Sequence, residues 1–172
     1  MSTNSVSVFA PKAIVVGIAG GVVSIIGSML LPADLPVQVA NIIFIPMVAV
    51  AGPLGGAIGG AVSGLGSPLL VIAALAGVLG GGVAGWGYRR FVWPQSTIAG
   101  RLIAWAVLIL VADALSSLVF AIVLPMFDSE MPAFPGSLEA VLGYAAISTA
   151  YDIVATTVVM ALLPERFRQP LG

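Results

Sequence analysis

Residues 45–70 read IPMVAVAGPLGGAIGGAVSGLGSPLL, a stretch without a single charged side chain. Gly52-Pro53 and Ser67-Pro68 interrupt it, because glycine and proline free backbone groups that a helix would otherwise satisfy. Between those breaks, Gly55/Gly59 and Gly56/Gly60 stand four residues apart. Small residues at that spacing let helix backbones approach closely, which is how helices associate where lipid removes the hydrophobic drive. A second stretch at 77–85, GVLGGGVAG, has the same character. No Gly-Lys-Ser/Thr follows these glycines and their setting is apolar, so they do not read as a phosphate loop. The pattern predicts a compact helical bundle rather than a water-filled pore.

The whole chain fits that setting. It has 172 residues, 60% of them hydrophobic and only 8% charged, with a mean hydropathy of +1.17. A soluble domain carries roughly 25% charged residues, so this chain lacks the charge to coat a water-facing surface. Soluble enzymes, nucleic-acid binders and disordered regulators are excluded. Histidine and cysteine are both absent, which removes the common zinc and copper ligands, thiol nucleophiles, disulfides and imidazole acid/base chemistry. No cofactor is expected. The net charge of −1 argues against nucleic acid and against a basic patch for anionic lipid. The opening MSTNSVSVFAP has no positive n-region, so the first apolar segment is expected to be a retained helix.

Apolar segments run over about 12–31, 37–51, 53–66, 68–88, 101–124 and 139–163. The fold expected is an all-α integral membrane protein, a single transmembrane domain of six helices. Segments two and three are shorter than a comfortable span of about 20 residues, so they are either tilted spans or a re-entrant pair. Lys12, then Arg89, Arg90 and Arg101, then Arg166 and Arg168 form three basic clusters, while Asp34, Asp128, Glu130 and Glu139 fall in the alternate loops. Cytoplasmic loops collect Lys and Arg. Six crossings with both termini cytoplasmic put every basic cluster inside. Five would strand Arg166 and Arg168 outside, and four require that 37–66 never fully crosses.

Asp113 and Asp152 are the acids inside the expected spans. A mid-helix Asp costs roughly 2.5–3.5 kcal/mol on insertion scales and marks a functional site by default. At the rise of a helix, Asp113 lies roughly 16 Å and Asp152 roughly 20 Å from the outer ends of consecutive, antiparallel segments, so the two carboxylates fall at similar depth. Ser117 stands four residues after Asp113 and Ser148 four before Asp152, each one turn outward on the same stripe. Tyr144 extends the sixth-helix stripe outward, Thr156 extends it inward, and Asn41 near the outer end of the second segment closes the group. The expected site is a polar track running from the outer surface to paired carboxylates, suited to a small cationic or hydrogen-bond-donating ligand. Either Asp can instead serve as interhelical glue, where such bonds average about 0.6 kcal/mol. Trp86, Trp93 and Trp105 read as interfacial anchors around the basic loop.

With these residues in view, the chain resembles the substrate-binding (S) components of energy-coupling factor (ECF) vitamin transporters, small six-helix proteins with both ends cytoplasmic. The resemblance rests on 45–70, with a proline in the second helix, a Gly-Pro turn and a glycine-rich third helix. It implies a high-affinity capture subunit in the plasma membrane of a prokaryote that hydrolyses nothing itself. Its partners would be a transmembrane coupling subunit and two cytoplasmic ATPases, and its ligand a small vitamin or precursor, thiamine-like or amine-bearing. The family's small-residue docking face on the first helix would correspond here to Ala13, Gly17 and Gly21, a stripe equally suited to packing within the chain's own bundle. Family ligands bind near the outer face, where the loop 125–138 with Phe127 and Phe134 would form a lid. The family's metal-binding members use an N-terminal histidine, which this chain lacks. Two other classes fit less well. A rod-shape scaffold of the MreD type has similar size and span count but needs no deep acid pair. A diaspartyl intramembrane hydrolase would need a Gly-x-Gly-Asp motif, and none is present.

Overall fold

The computed structural model of the chain describes residues 11–30 and 39–171. The loop at 31–36, with Asp34, and the first residues of the second expected span lie outside the described residues. Six helices carry the fold: α1 (Pro11–Leu30), α2 (Asn41–Val50), α3 (Gly52–Gly64), α4 (Leu70–Gly87), α5 (Ile98–Val123) and α6 (Gly136–Leu162). A π-helical turn, Tyr88–Val92, extends α4, a 3-10 turn, Leu124–Met126, extends α5, and a one-turn α7 (Glu165–Arg168) follows α6. No strand occurs among the described residues. Helix α5 begins earlier than its expected start at 101 because the Thr97 side chain caps it, accepting from the Gly100 amide at 3.1 Å.

Four of these helices, α1, α4, α5 and α6, are long and apolar enough to cross a membrane. Their outer faces keep large apolar side chains exposed, such as Ile103, Val107 and Leu110 on α5 and Val154 and Val158 on α6. Such faces are those of a membrane-embedded protein. With 10 and 13 residues, α2 and α3 measure about 15 and 20 Å against a hydrocarbon core of about 30 Å. They form a tight hairpin that turns at Gly52, whose φ of +77° lies where glycine meets no Cβ clash.

The two glycine stripes of α3 serve different neighbours. Gly55 and Gly59 lie on the α1 backbone at Ala13 and Gly17, while Gly56 and Gly60 lie on the α4 backbone at Gly81 and Gly77. A side chain at any of these four positions would run into a facing carbonyl. The close packing expected from the spacing is therefore present, with α3 held backbone to backbone on two sides. The same contacts fix direction: the pairs 17/55 and 21/59 make α1 parallel to α3, while 56/81 and 60/77 make α4 antiparallel to it. Gly27 faces Ala40 and Gly20 faces Met47, so α1 and α2 are antiparallel. Ser137 bonds to the Ala121 carbonyl, and Trp105 to Thr156, so α5 and α6 are antiparallel as well. Successive helices thus alternate in direction, and the basic residues Lys12, Arg89, Arg90, Arg101, Arg166 and Arg168 gather at one end of the bundle.

That basic end contains the apolar core. Ile45, Ala49, Ala84, Tyr88, Val92, Leu108, Ile109 and Met160 pack around Trp105, which is fully buried. The Tyr88 and Trp105 rings meet edge to face with centroids 5.7 Å apart, and the Tyr88 hydroxyl donates to the Arg168 carbonyl at 2.6 Å. Trp105 therefore departs from the expected interfacial anchor. Its indole N–H finds a partner inside the bundle, the Thr156 hydroxyl at 3.0 Å, so the ring can be buried without an orphaned donor. Trp86 is exposed, and Trp93 carries the Arg101 guanidinium 5.0 Å above its ring.

Candidate functional site: a polar cavity at the end opposite the arginines

At the other end the helices splay around a cavity of about 470 Å³. The C-terminal parts of α1 and α3, α2 from Asn41 to Val48, α4 from Ala73 to Ala84, and α5 with Tyr144 of α6 form its wall, which reaches down to Ile45, Ala84 and Ile109 of the apolar core. Among the described residues Ser24, Ser28, Asn41, Ser63, Ser67, Asp113, Ser116 and Tyr144 supply its polar groups, with Asp113 the one acid on the wall. Ser24 and Ser63 bond each other at 2.7 Å across α1 and α3. The glycines of α3 and α4 make room, since Gly60, Gly64, Gly77, Gly80 and Gly81 all border the space.

The expected site residues divide into two groups. Asn41, Asp113 and Tyr144 line the cavity. Asp152 lies behind Asn41, only 2% exposed, and accepts from the Asn41 amide through Oδ2 at 2.9 Å. Among the described residues its Oδ1 has no hydrogen-bond partner. Asp113 faces Thr149 of α6 and lies within Coulomb range of Asp152. Asn41 and Asp152 are thus joined across α2 and α6, with Asp113 of α5 on the same side of the bundle.

The serines do not take their expected places. Ser117 is buried on the α5 stripe with Ala121, which packs on the start of α6 at Ser137, and it is absent from the cavity wall. Ser116 faces the cavity instead, with its hydroxyl on the Ala112 and Ala76 carbonyls at 3.0 and 3.2 Å. The difference of one residue is a rotation of about 100° around α5, set by the fit of Ser116 against Gly80. Ser148 is half-buried and off the wall, and Thr149 takes the position facing Asp113. Inward, the track stops at Thr156, which donates to the Asp152 carbonyl and accepts from Trp105. Below it lies only the apolar core.

Two further expectations change. Phe127 and Phe134 stand exposed on the 125–138 connection and neither touches the cavity. Beside Tyr144, its aromatic walls are Phe44 and Phe120, whose contribution no motif signalled. The stripe of Ala13, Gly17 and Gly21 is buried against α3. Of its two expected roles, docking and internal packing, it performs packing, because α3 already occupies the close approach that small residues permit.

Chemically, the cavity offers a recessed carboxyl, an amide, several hydroxyls and three aromatic rings, those of Phe44, Phe120 and Tyr144. Groups of these kinds are chemically suited to a small polar molecule with a cationic or N–H-bearing end and a flat ring. No protein-family model, curated protein or solved structure matches this chain.

Proposed function

We propose that this chain is a solute-capture subunit of the plasma membrane of a prokaryote, with six spans and both termini cytoplasmic. In this reading α2 and α3 are two short crossings, a reading supported by the alternation of helix directions and by the gathering of all basic residues at one end. The cavity then opens outward. The single observation that carries the proposal is the 470 Å³ space with Asp113 on its wall and the Asn41–Asp152 pair behind it. A buried carboxyl in a membrane bundle is costly, and a ligand cation or proton-donating group at the cluster would offset that cost.

The chain contains no nucleotide-binding motif. Uptake would therefore draw on a membrane coupling subunit and two cytoplasmic ATPases, the arrangement implied by its resemblance to ECF S components. The ligand class is a small water-soluble vitamin or precursor with a basic or amine-bearing end. Native mass spectrometry of the gently purified protein tests the reading. A retained vitamin-sized mass, lost in Asp113→Asn, is expected. A ligand-free mass that added amine-bearing vitamins leave unchanged would overturn it.

A further inference from the structure

A second space, of about 390 Å³, lies on the membrane-facing side near the basic end. Helix α2 sits recessed between α1 and α6, and no described helix covers its remaining face. Val16 of α1, Ile43, Pro46 and Met47 of α2, and Val159 and Leu163 of α6 line the resulting groove. Almost all of that surface is hydrocarbon. The basic end of the groove is different: Arg166 and Phe167 of the terminal turn stand there with Gln169 and Leu171, whose amide donates to the Val50 carbonyl at 2.8 Å.

We propose that this groove holds one anionic phospholipid of the leaflet on the basic side, with an acyl chain along α2 and the phosphate on Arg166. Three observations choose this occupant. From Ile43 to Val50 the groove follows α2 for about 10 Å, a long narrow apolar slot suited to a chain rather than to a compact solute. Arg166 is held at the basic end, with its guanidinium 4.8 Å above the Phe167 ring. Among the described residues that guanidinium has no acidic partner, because the neighbouring Glu165 pairs with Arg101 at 3.4 Å. A guanidinium binds phosphate oxygens in a two-pronged geometry, so the free charge and the apolar slot complement the two ends of one lipid. This is a single cation at the end of a groove, distinct from the polybasic patch that the net charge argues against. It does not depend on the capture reading.

The test is native mass spectrometry of the full chain in detergent with equal amounts of phosphatidylglycerol and phosphatidylcholine carrying the same acyl chains. One tightly held lipid is expected, with phosphatidylglycerol favoured about fivefold, the equivalent of about 1 kcal/mol for one cation near a membrane surface. Arg166→Gln should bring the ratio near one, while Arg90→Gln, at an exposed arginine of the same end, should leave it unchanged. Ile43→Trp, at a position already 55% exposed, should reduce binding of both lipids. Equal binding of the two lipids by the unaltered chain, or a preference that survives Arg166→Gln, would overturn the proposal. So would an unchanged lipid count in Ile43→Trp, or a protein partner or second copy retained on this face without lipid.

Discussion

Gly60→Ala is the sharpest perturbation of the bundle. A Cβ at Gly60 would overlap the carbonyl of Gly77 on α4, with the Gly77 Cα at 3.0 Å. The obstacle is backbone on both sides, since a Cβ at Gly77 would meet the Gly60 carbonyl in turn. No rotamer change relieves the clash, and α3 and α4 must separate. Overpacking of this kind costs about 1–3 kcal/mol, against a gain of about 0.5–1 kcal/mol from replacing a helical glycine by alanine. Gly143 on α6 supplies the reference, because a Cβ there meets nothing within 4 Å. Gly143→Ala takes the same propensity gain without the clash. The difference in unfolding free energy between the two variants therefore isolates the steric term, expected at about 1–3 kcal/mol with Gly60→Ala the less stable. Reversible unfolding of the purified protein in mixed micelles measures it. Equal stability of the two variants would refute the backbone-to-backbone packing of α3 on α4.

Asn41→Ala removes the donor to Asp152, and a double-mutant cycle with Asp152→Asn should give a coupling of about 0.6–1.7 kcal/mol, the range of interhelical bonds in membranes; a coupling of zero would mean that the bond is absent in the bilayer. Trp105→Phe keeps most of the buried ring but leaves the Thr156 hydroxyl without its indole donor. It should cost about 1–2 kcal/mol, with no change in the number of exposed tryptophans by fluorescence quenching; a quenching change would contradict the burial of Trp105.

Much of this architecture is legible in residue spacing. The lengths of the apolar runs mark the four long helices, and Gly52-Pro53 marks the turn between the two short ones. The two glycine pairs of α3 identify faces that pack, and helix rise alone brings Asp113 and Asp152 to one depth. Rotation is far less legible. In α5, apolar residues occur all around the helix, because lipid and bundle interior both accept them, so no polar face fixes its phase. Four-residue spacing from Asp113 therefore selects Ser117, and only the fit of Ser116 against Gly80 brings Ser116 to the cavity instead. The same ambiguity placed Ser148 where Thr149 stands. Trp105 misleads for a related reason: tryptophan near a basic loop suits an interface, and only the distant Thr156 makes its burial affordable. Phe44 and Phe120 carry no signal of their own among so many apolar neighbours.

The central claim is that a polar cavity beside Asp113 opens on the face away from the arginines. The chain has no cysteine, so single-cysteine variants report without background. Ser116→Cys lies on the cavity wall, Arg90→Cys at the basic end, and Ser137→Cys is fully buried as a control. In intact cells, a membrane-impermeant thiol reagent should label Ser116→Cys, should reach Arg90→Cys only after permeabilisation, and should leave Ser137→Cys unmodified. Labelling of Arg90→Cys in intact cells, or a Ser116→Cys that stays inert in intact and permeabilised cells alike, would contradict the account.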